Sequence, residues 1–335
     1  MRIDARDVAA RLTFAATIGA LLYGAVSVHR VRAFGRRVRE DRAQPAWRPA
    51  VTIMKPVRGV DTGLEENLRS FCNQEYPDFH VVFGVHQADD PALDVIQRVA
   101  AAAPERTTVV VGDGLARCRN PKMANVAPMV AHAHGDIYVI ADSDMRVTPD
   151  YLDAVVAAFA DPSVGAVTAR FRGEPADATL ASTLGAMSIT EQFMPSALVA
   201  EALEPVKYLF GSTMAVRRNI LEAIGGITVV GDHLADDFTL GRLVTEQGYR
   251  VAIASYVVAN IVAEPGVRAL IEHELRWART IRAVKPFGYP ATILTYPLPV
   301  ALAHLALARK RRTALALVAI AALLRLALRN AAHGA

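Results

Sequence analysis

Cysteine is scarce in this 335-residue chain, which holds only Cys72 and Cys118. Two isolated thiols make neither a disulfide framework nor a Cys-x-x-Cys pair, which excludes a stapled secreted scaffold and a zinc ribbon and fits a reducing compartment. Internal repeats and low-complexity tracts are also missing. Charge is thin: charged residues make up 21% of the chain against 53% hydrophobic, with a mean hydropathy of +0.24. That is too apolar for a wholly soluble protein and too charged for a polytopic transporter, and the length suits one large α/β domain plus membrane segments. The net charge is +4 and the pI about 9.2. The Lys and Arg residues cluster beside apolar segments rather than alternating with aromatics, so anionic lipid headgroups are the expected partner and no nucleic acid is.

The linear division follows from hydropathy. Leu12 to Val28 carries no charge and runs straight into His29-Arg30-Val31-Arg32 and Arg36-Arg37-Val38-Arg39. With no small-residue cleavage site, this reads as an uncleaved transmembrane anchor over 8–29 that exits into the cytoplasm. A basic juxtamembrane linker is expected over 30–50, where Gln44 to Pro49 is proline-containing and aperiodic, then an α/β domain over 51–288. The remainder, 289–330, is expected to be a hydrophobic hairpin or transmembrane segments. Its two apolar runs, Ala291 to Ala308 and Thr313 to Leu328, are both marginal against the about 20 residues that a bilayer crossing needs. Pro297 and Pro299 interrupt the first, and Arg325 in the second must snorkel or find a partner. A full crossing by the first run would place Arg309-Lys310-Arg311-Arg312 outside, against the positive-inside tendency, which favours a re-entrant or interfacial hairpin there.

Short β-like runs at Val51 to Met54, Val81 to Val85, Thr107 to Val111 and Ile137 to Ile140 alternate with helix-compatible segments such as Gly63 to Cys72 and Pro91 to Ala103. The alternation predicts an α/β, Rossmann-like, largely parallel sheet whose ligands sit beyond the carboxyl ends of the strands. Lys55-Pro56, Asp89-Asp90 and Asp142-Ser143-Asp144 all fall there. From Thr190 to Phe210, the residues Phe193, Met194, Leu198, Tyr208, Leu209 and Phe210 offer apolar surface that is either ordinary core or part of a lipid-acceptor groove.

Asp142-Ser143-Asp144, at the end of an apolar strand, is the most informative stretch. Mg²⁺ and Mn²⁺ bind through one or two carboxylates and complete their shells with substrate phosphate oxygens, so Asp142 and Asp144 are candidate metal ligands in a nucleotide-sugar site. An acidic turn capping a helix near Pro149 is the competing reading. Asp89 or Asp90 can accept from a uracil or ribose, and Lys122 can add charge to the same phosphates or stay solvated. Asp237 is the candidate base for an attacking hydroxyl and equally a helix N-cap. In His273-Glu274-Leu275-Arg276-Trp277, helical spacing groups His273, Arg276 and Trp277. Arg276 can bind a diphosphate and Trp277 can wall an acceptor site, unless the segment is a basic amphipathic helix lying on the bilayer.

Asp89-Asp90, Asp142-Ser143-Asp144, Asp237 and HELRW together resemble the D, D, D, (Q/R)xxRW pattern of family 2 and family 21 glycosyltransferases, which include ceramide glucosyltransferases. LRSFCNQEYP, FGVHQADDPALDV, DHLADDFTLG, HELRWARTIR and ILTYPLP look closer still to a hopanoid-biosynthesis-associated branch. The resemblance covers roughly Val51 to Pro299. It implies a GT-A fold, a UDP-sugar donor, Mg²⁺ or Mn²⁺ and single displacement with inversion. It further implies a lipid acceptor, with transfer of N-acetylglucosamine to bacteriohopanetetrol in the hopanoid branch and glucosylation of ceramide as the alternative. By position, Asp142 and Asp144 match the metal station, Asp237 the base, and Arg276 with Trp277 the RW pair; His273 departs from the Gln or Arg of the general motif. The resemblance also implies a bacterial-type inner membrane location with the catalytic domain facing the cytoplasm. A processive polysaccharide synthase needs more well-formed spans than this chain offers, and a non-catalytic nucleotide-sugar scaffold would not need every acidic station kept.

Overall fold

Val- and Ile-rich runs bounded by Gly, Pro and Asp become strands, as their fit to a buried pleated surface dictates. In the computed structural model, which describes residues 4–41, 45–113 and 118–334, these are β1 (Val51–Val57), β2 (Phe79–Val85), β3 (Thr107–Val111), β4 (Ile137–Ile140), β5 (Met145–Arg146), β6 (Val164–Pro175), β7 (Met214–Arg217) and β8 (Arg250–Val262). The helices are α1 (Ala5–Glu40), α2 (Leu64–Cys72), α3 (Ala92–Ala101), α4 (Pro121–Met129), α5 (Tyr151–Ala157), α6 (Leu180–Ser188), α7 (Met194–Leu203), α8 (Arg218–Ala223), α9 (Asp236–Glu246), α10 (Val267–Val284), α11 (Pro297–Leu307) and α12 (Arg311–His333). They fall into two units. A sheet unit takes residues 41–186 and 205–270, and a helical unit takes the residues up to Glu40, Met187–Glu204 and those from Ile271 onward.

The sheet has the order β3-β2-β1-β4-β7-β6-β8-β5. Strands β1 to β4 pair in parallel, as the alternation with helices requires, and β6 pairs β8 in parallel. β7 enters antiparallel between β4 and β6, and β5 antiparallel against β8, so the sheet is mixed in its second half. The core lies on these strands: Ile53, Met54, Val81, Val82, Val139 and Ile140 are fully buried. The β1–β4 ladder ends at Met54 opposite Ile140, while β1 runs on to Val57. That stagger lets Lys55 and Pro56 extend past the end of β4, and a proline there costs no ladder bond to β4.

α4 opens with Asn120 as N-cap and Pro121 in the first turn. The Asn120 Oδ1 accepts from the Lys122 and Met123 amides at 2.9 and 3.4 Å. One helical turn on, buried Asn125 donates through Nδ2 to Val57 O at 3.1 Å and Gly84 O at 2.9 Å, fastening the ends of β1 and β2 together.

In the helical unit, α1 of 36 residues spans about 54 Å at 1.5 Å per residue. It contains the expected anchor over 8–29 and continues through the first part of the expected linker, with Val31 and Phe34 buried on its inner face. Residues 42–44 of that linker, Gln44 among them, lie outside the described residues. α11 runs antiparallel to α1: Thr13 Oγ1 meets His304 Nδ1 at 3.2 Å, Thr17 Oγ1 donates to Val300 O at 3.5 Å, and Pro297 packs on Gly24. α12 returns parallel to α1, with Arg309 paired to Asp4 and Asp7 at one end and Arg39 donating to Gly334 O at the other. α1 and α12 are long and apolar enough to cross a membrane; α11 is short and meets the 3₁₀ turn Tyr289–Thr295 at 85°. The basic cluster after α11 is thus partly neutralised by Asp4 and Asp7.

The single α/β domain expected over 51–288 differs from this division. α7 lies along α1, with the Tyr23 hydroxyl donating to Ser196 Oγ at 2.8 Å, so Met187–Glu204 and the HELRW segment belong with the apolar helices. Hydropathy along the chain does not register such packing.

Replacing Asn125 with Ala leaves two buried strand carbonyls without their donor, at about 1 kcal/mol each. Urea unfolding of the detergent-solubilised protein should show Asn125→Ala destabilised by about 2 kcal/mol. An unchanged midpoint would mean that the clamp carries no stability.

Candidate active site

The acidic turn after β4 is built by main-chain contacts from both sides. The Asp142 amide donates to Gly211 O at 3.2 Å, and the Ile261 amide donates to Asp144 O at 2.8 Å. Gly211 has no side chain for a steric reason, since a Cβ there would collide with the Asp142 carboxylate. Asn67 Nδ2 reaches Ser143 O at 3.4 Å, and Arg146 Nε donates to Asn67 Oδ1 at 2.9 Å. Asn260 of β8 donates to Asp144 Oδ2 at 2.7 Å.

Two lysines carry the counter-charge. Lys122 Nζ lies 2.6 Å from Asp142 Oδ1 and 3.6 Å from Asp236 Oδ2. Asp142, Asp236 and Asp237 together outweigh the cost of its burial and hold its pKa above the ordinary lysine value. Lys55 is fully buried, donates from Nζ to Asp142 O at 2.5 Å and stands 3.7 Å from the centre of the Phe71 ring. Burial lowers its pKa to about 7, opposed by the attraction of Asp144 and Asp142.

The carboxylates themselves are strained electrostatically. Burial first, and then the charge of Asp142, raise Asp144 to about 6. Asp237, in the first turn of α9, is raised to about 6 by burial and by neighbouring Asp236, although Lys122 pulls the other way. Its Oδ1 accepts from the Phe238 amide at 2.7 Å, and its carbonyl accepts from the Leu209 amide at 3.2 Å. Asp236 is buried and accepts at Oδ1 from Asn120 Nδ2 at 3.2 Å, which ties the start of α9 to the cap of α4.

The fold therefore brings Asp142, Asp144, Asp237 and Lys122 into one electrostatic cluster of the sheet unit. Asp90 is committed elsewhere: its carboxylate accepts from the Gly59 amide at 2.9 and 3.2 Å and from the Ala92 amide at 2.9 Å, closing the turn before α3. Asp89 beside it is exposed and is the carboxylate of that pair open to a ligand. His273, Arg276 and Trp277 lie on the part of α10 that belongs to the helical unit. There the His273 ring stands edge-on to the Trp277 indole, 4.8 Å between centroids, and Phe193 packs on the same indole at 5.9 Å.

Three participants carry little sequence signal. Lys55 is marked only by its charge inside the apolar run VTIMKPV, Asn260 by nothing, and Gly211 by nothing short of the coordinates. Among the described residues no three His, Cys, Asp or Glu side chains form a metal cage. What the cluster offers is a pair of carboxylates two residues apart, Asp142 and Asp144, the second of them in surroundings that resist its negative charge.

Glycosyl transferase family 21 matches residues 12–334, nearly the whole length, and the chain belongs to that family. Curated relatives include ceramide glucosyltransferases 1 and 3 of Caenorhabditis elegans, 23% and 26% identical over 71% and 75% of this chain. A beta-monoglucosyldiacylglycerol synthase of Synechocystis is 26% identical over 72% of it. The chain spans about half the length of these relatives, 51%, 53% and 52% respectively. Among solved structures, the mannosyltransferase PcManGT of Pyrobaculum calidifontis, in complex with GDP-Man and Mn²⁺, superposes with a TM-score of 0.55 at 22% identity, covering 93% of this chain and 99% of that one. That likeness identifies the fold as the GT-A-like glycosyltransferase fold.

The raised pKa of Asp237 has a consequence for stability. Its folded value, about 6, lies above the unfolded value of about 3.9, so its stabilising contribution is complete below pH about 4 and is lost as the pH rises through about 6. Asp237→Asn lacks that loss. The melting temperature of the variant relative to wild type should rise between pH 4 and pH 7 in metal-free buffer; a flat difference would show that Asp237 titrates normally.

Proposed function

We propose that this chain is a membrane-bound inverting glycosyltransferase that moves a sugar from a UDP-sugar to the hydroxyl of a lipid. The observation that carries the reading is the cluster at the end of β4, in which Lys122 and the Asp142–Asp144 turn share one electrostatic environment with Asp237. The similarity to ceramide glucosyltransferases and to a beta-monoglucosyldiacylglycerol synthase supports a lipid acceptor.

Asp142 and Asp144 would hold Mg²⁺ or Mn²⁺. The donor set fits a hard cation: two adjacent carboxylates, no thiol or imidazole, and a pKa of Asp144 raised partly by its neighbour's charge, which a cation would relieve. When bound, such an ion neutralises the diphosphate and helps it leave. Lys122, now neutralising Asp142, supplies a second positive charge to the same phosphates. Asp237 accepts the proton of the acceptor hydroxyl as its oxygen attacks the anomeric carbon, and attack opposite the leaving diphosphate inverts that centre. A carboxylate with pKa about 6 is a stronger base than an ordinary one and still ionised at neutral pH. Asp89 is assigned to the uridine. Arg276 is assigned to the diphosphate, with His273 beside it, and Trp277 to a wall of the acceptor site.

For the particular reaction, transfer of N-acetylglucosamine to bacteriohopanetetrol is favoured by the LRSFCNQEYP and FGVHQADDPALDV stretches. Glucosylation of ceramide is the second reading and is favoured by the C. elegans relatives. With α1 as a span, Arg37 and Arg39 at its C-terminal end favour a cytoplasmic side for the residues that follow it, and the family resemblance favours a bacterial-type inner membrane.

Purified protein incubated with UDP-N-acetylglucosamine or UDP-glucose and each lipid, followed by mass spectrometry, should give a single-sugar adduct of bacteriohopanetetrol. Glucosylated ceramide alone would replace the first reading with the second, and a sugar ladder would refute single transfer. Asp237→Asn should lower kcat by about 10²- to 10⁴-fold while leaving metal-dependent UDP binding in place; equal loss of both would make the residue a donor ligand.

A further inference from the structure

The helical unit contains a buried carboxylate that the proposed chemistry does not use. Glu191 is 1% exposed and sits in a π-helical turn, Ile189–Phe193, between α6 and α7. Arg325 of α12 engages it twice: Nη2 lies 2.8 Å from Oε2, and Nη1 donates to the main-chain oxygen of Glu191 at 2.8 Å. Arg329 and His333, one and two turns further along α12, approach Oε1 at 3.7 and 3.3 Å. This answers the question posed by an arginine in an apolar helix, because its charge is matched by a partner inside the unit.

A buried ion pair is a costly way to gain stability, since desolvation cancels much of the attraction; what it fixes well is geometry. A π turn carries one more residue than the α-helix around it, which disturbs the regular main-chain bonding, and such turns recur at functional sites. Three consecutive side chains leave this turn in three directions. Glu191 goes to α12. Gln192 Nε2 donates to Thr295 Oγ1 at 2.6 Å and to Thr295 O at 3.2 Å. Phe193 packs on the indole of Trp277, tilted by 44°. The turn is thus pinned by two polar anchors, and its third side chain rests on Trp277.

We infer that Glu191, clamped by Arg325, is a positioning residue: it sets the rotation of the π turn, and through Phe193 the orientation of Trp277. The kinetic part of this inference rests on the assignment of Trp277 to the acceptor site; the structural part does not. Trp47 and Trp277 are the two tryptophans of the chain, so Trp47→Phe leaves Trp277 as the sole indole reporter.

In that background, in nanodiscs of fixed lipid composition, Glu191→Gln and Arg325→Met should each shift the emission of Trp277. Both should raise the KM for the acceptor lipid by about fivefold while the KM for the UDP-sugar stays constant. Arg325→Lys, which keeps a charge at the clamp, should recover part of both effects and covers the case that Arg325→Met does not fold. Folded variants with lower melting temperatures but wild-type Trp277 emission would overturn the inference and leave the pair a mere staple of α12. Should Trp277→Ala itself leave the acceptor KM unchanged, the acceptor-site assignment fails, and the positioning link stands or falls on the emission shift alone.

Discussion

Repulsion among carboxylates at the end of β4 is the constraint around which the sheet unit is organised. Asp142, Asp144, Asp236 and Asp237 come from two segments nearly a hundred residues apart, and burial makes the negative charges of Asp144 and Asp237 more expensive. Lys55 and Lys122 offset that expense from opposite directions. One rises inside the sheet from β1 to the main chain of Asp142, and the other reaches from α4 to its carboxylate. The absence of a side chain at Gly211, the Asn120 cap and the Asn260 bond all serve to keep this arrangement in register.

Under the proposed function, such a site would take a divalent cation and a diphosphate, and the cation would relieve this repulsion. Asp144 and Asp237 both have pKa values raised to about 6, yet their neighbours separate their roles: Asp144 faces Asp142 and Lys55, while Asp237 faces Asp236 and Lys122. Two carboxylates in related surroundings can therefore serve as ligand and as base. Membership in glycosyl transferase family 21 and the GT-A-like fold give the class of enzyme, and the division of labour between the two carboxylates is the proposal built on it.

Much of this was legible in the sequence, and the reasons are physical. Strands β1 to β4 announced themselves through unbroken Val and Ile runs, because a parallel sheet buried on both faces needs them. The helix-compatible segments Gly63 to Cys72 and Pro91 to Ala103 likewise became α2 and α3. The long-range features were silent: nothing local says that β7 will insert antiparallel beside β4, or that Met187–Glu204 leaves the sheet unit to lie along α1. Arg325 was visible as an anomaly in an apolar helix, but its partner Glu191 lies 134 residues away and only the fold brings them together. Of Asp89-Asp90, spacing could not tell the helix-start acceptor from the exposed carboxylate; the amides of Gly59 and Ala92 decide it for Asp90.

The central claim is that the Asp142–Asp144 turn holds one divalent cation together with the donor diphosphate, apart from Asp237. Electron paramagnetic resonance of Mn²⁺ titrated into the protein with UDP tests it most directly. The account predicts a single ordered Mn²⁺ per chain that requires UDP, disappears in Asp144→Asn and persists in Asp237→Asn. An ordered Mn²⁺ that survives Asp144→Asn but is lost in Asp237→Asn would contradict it.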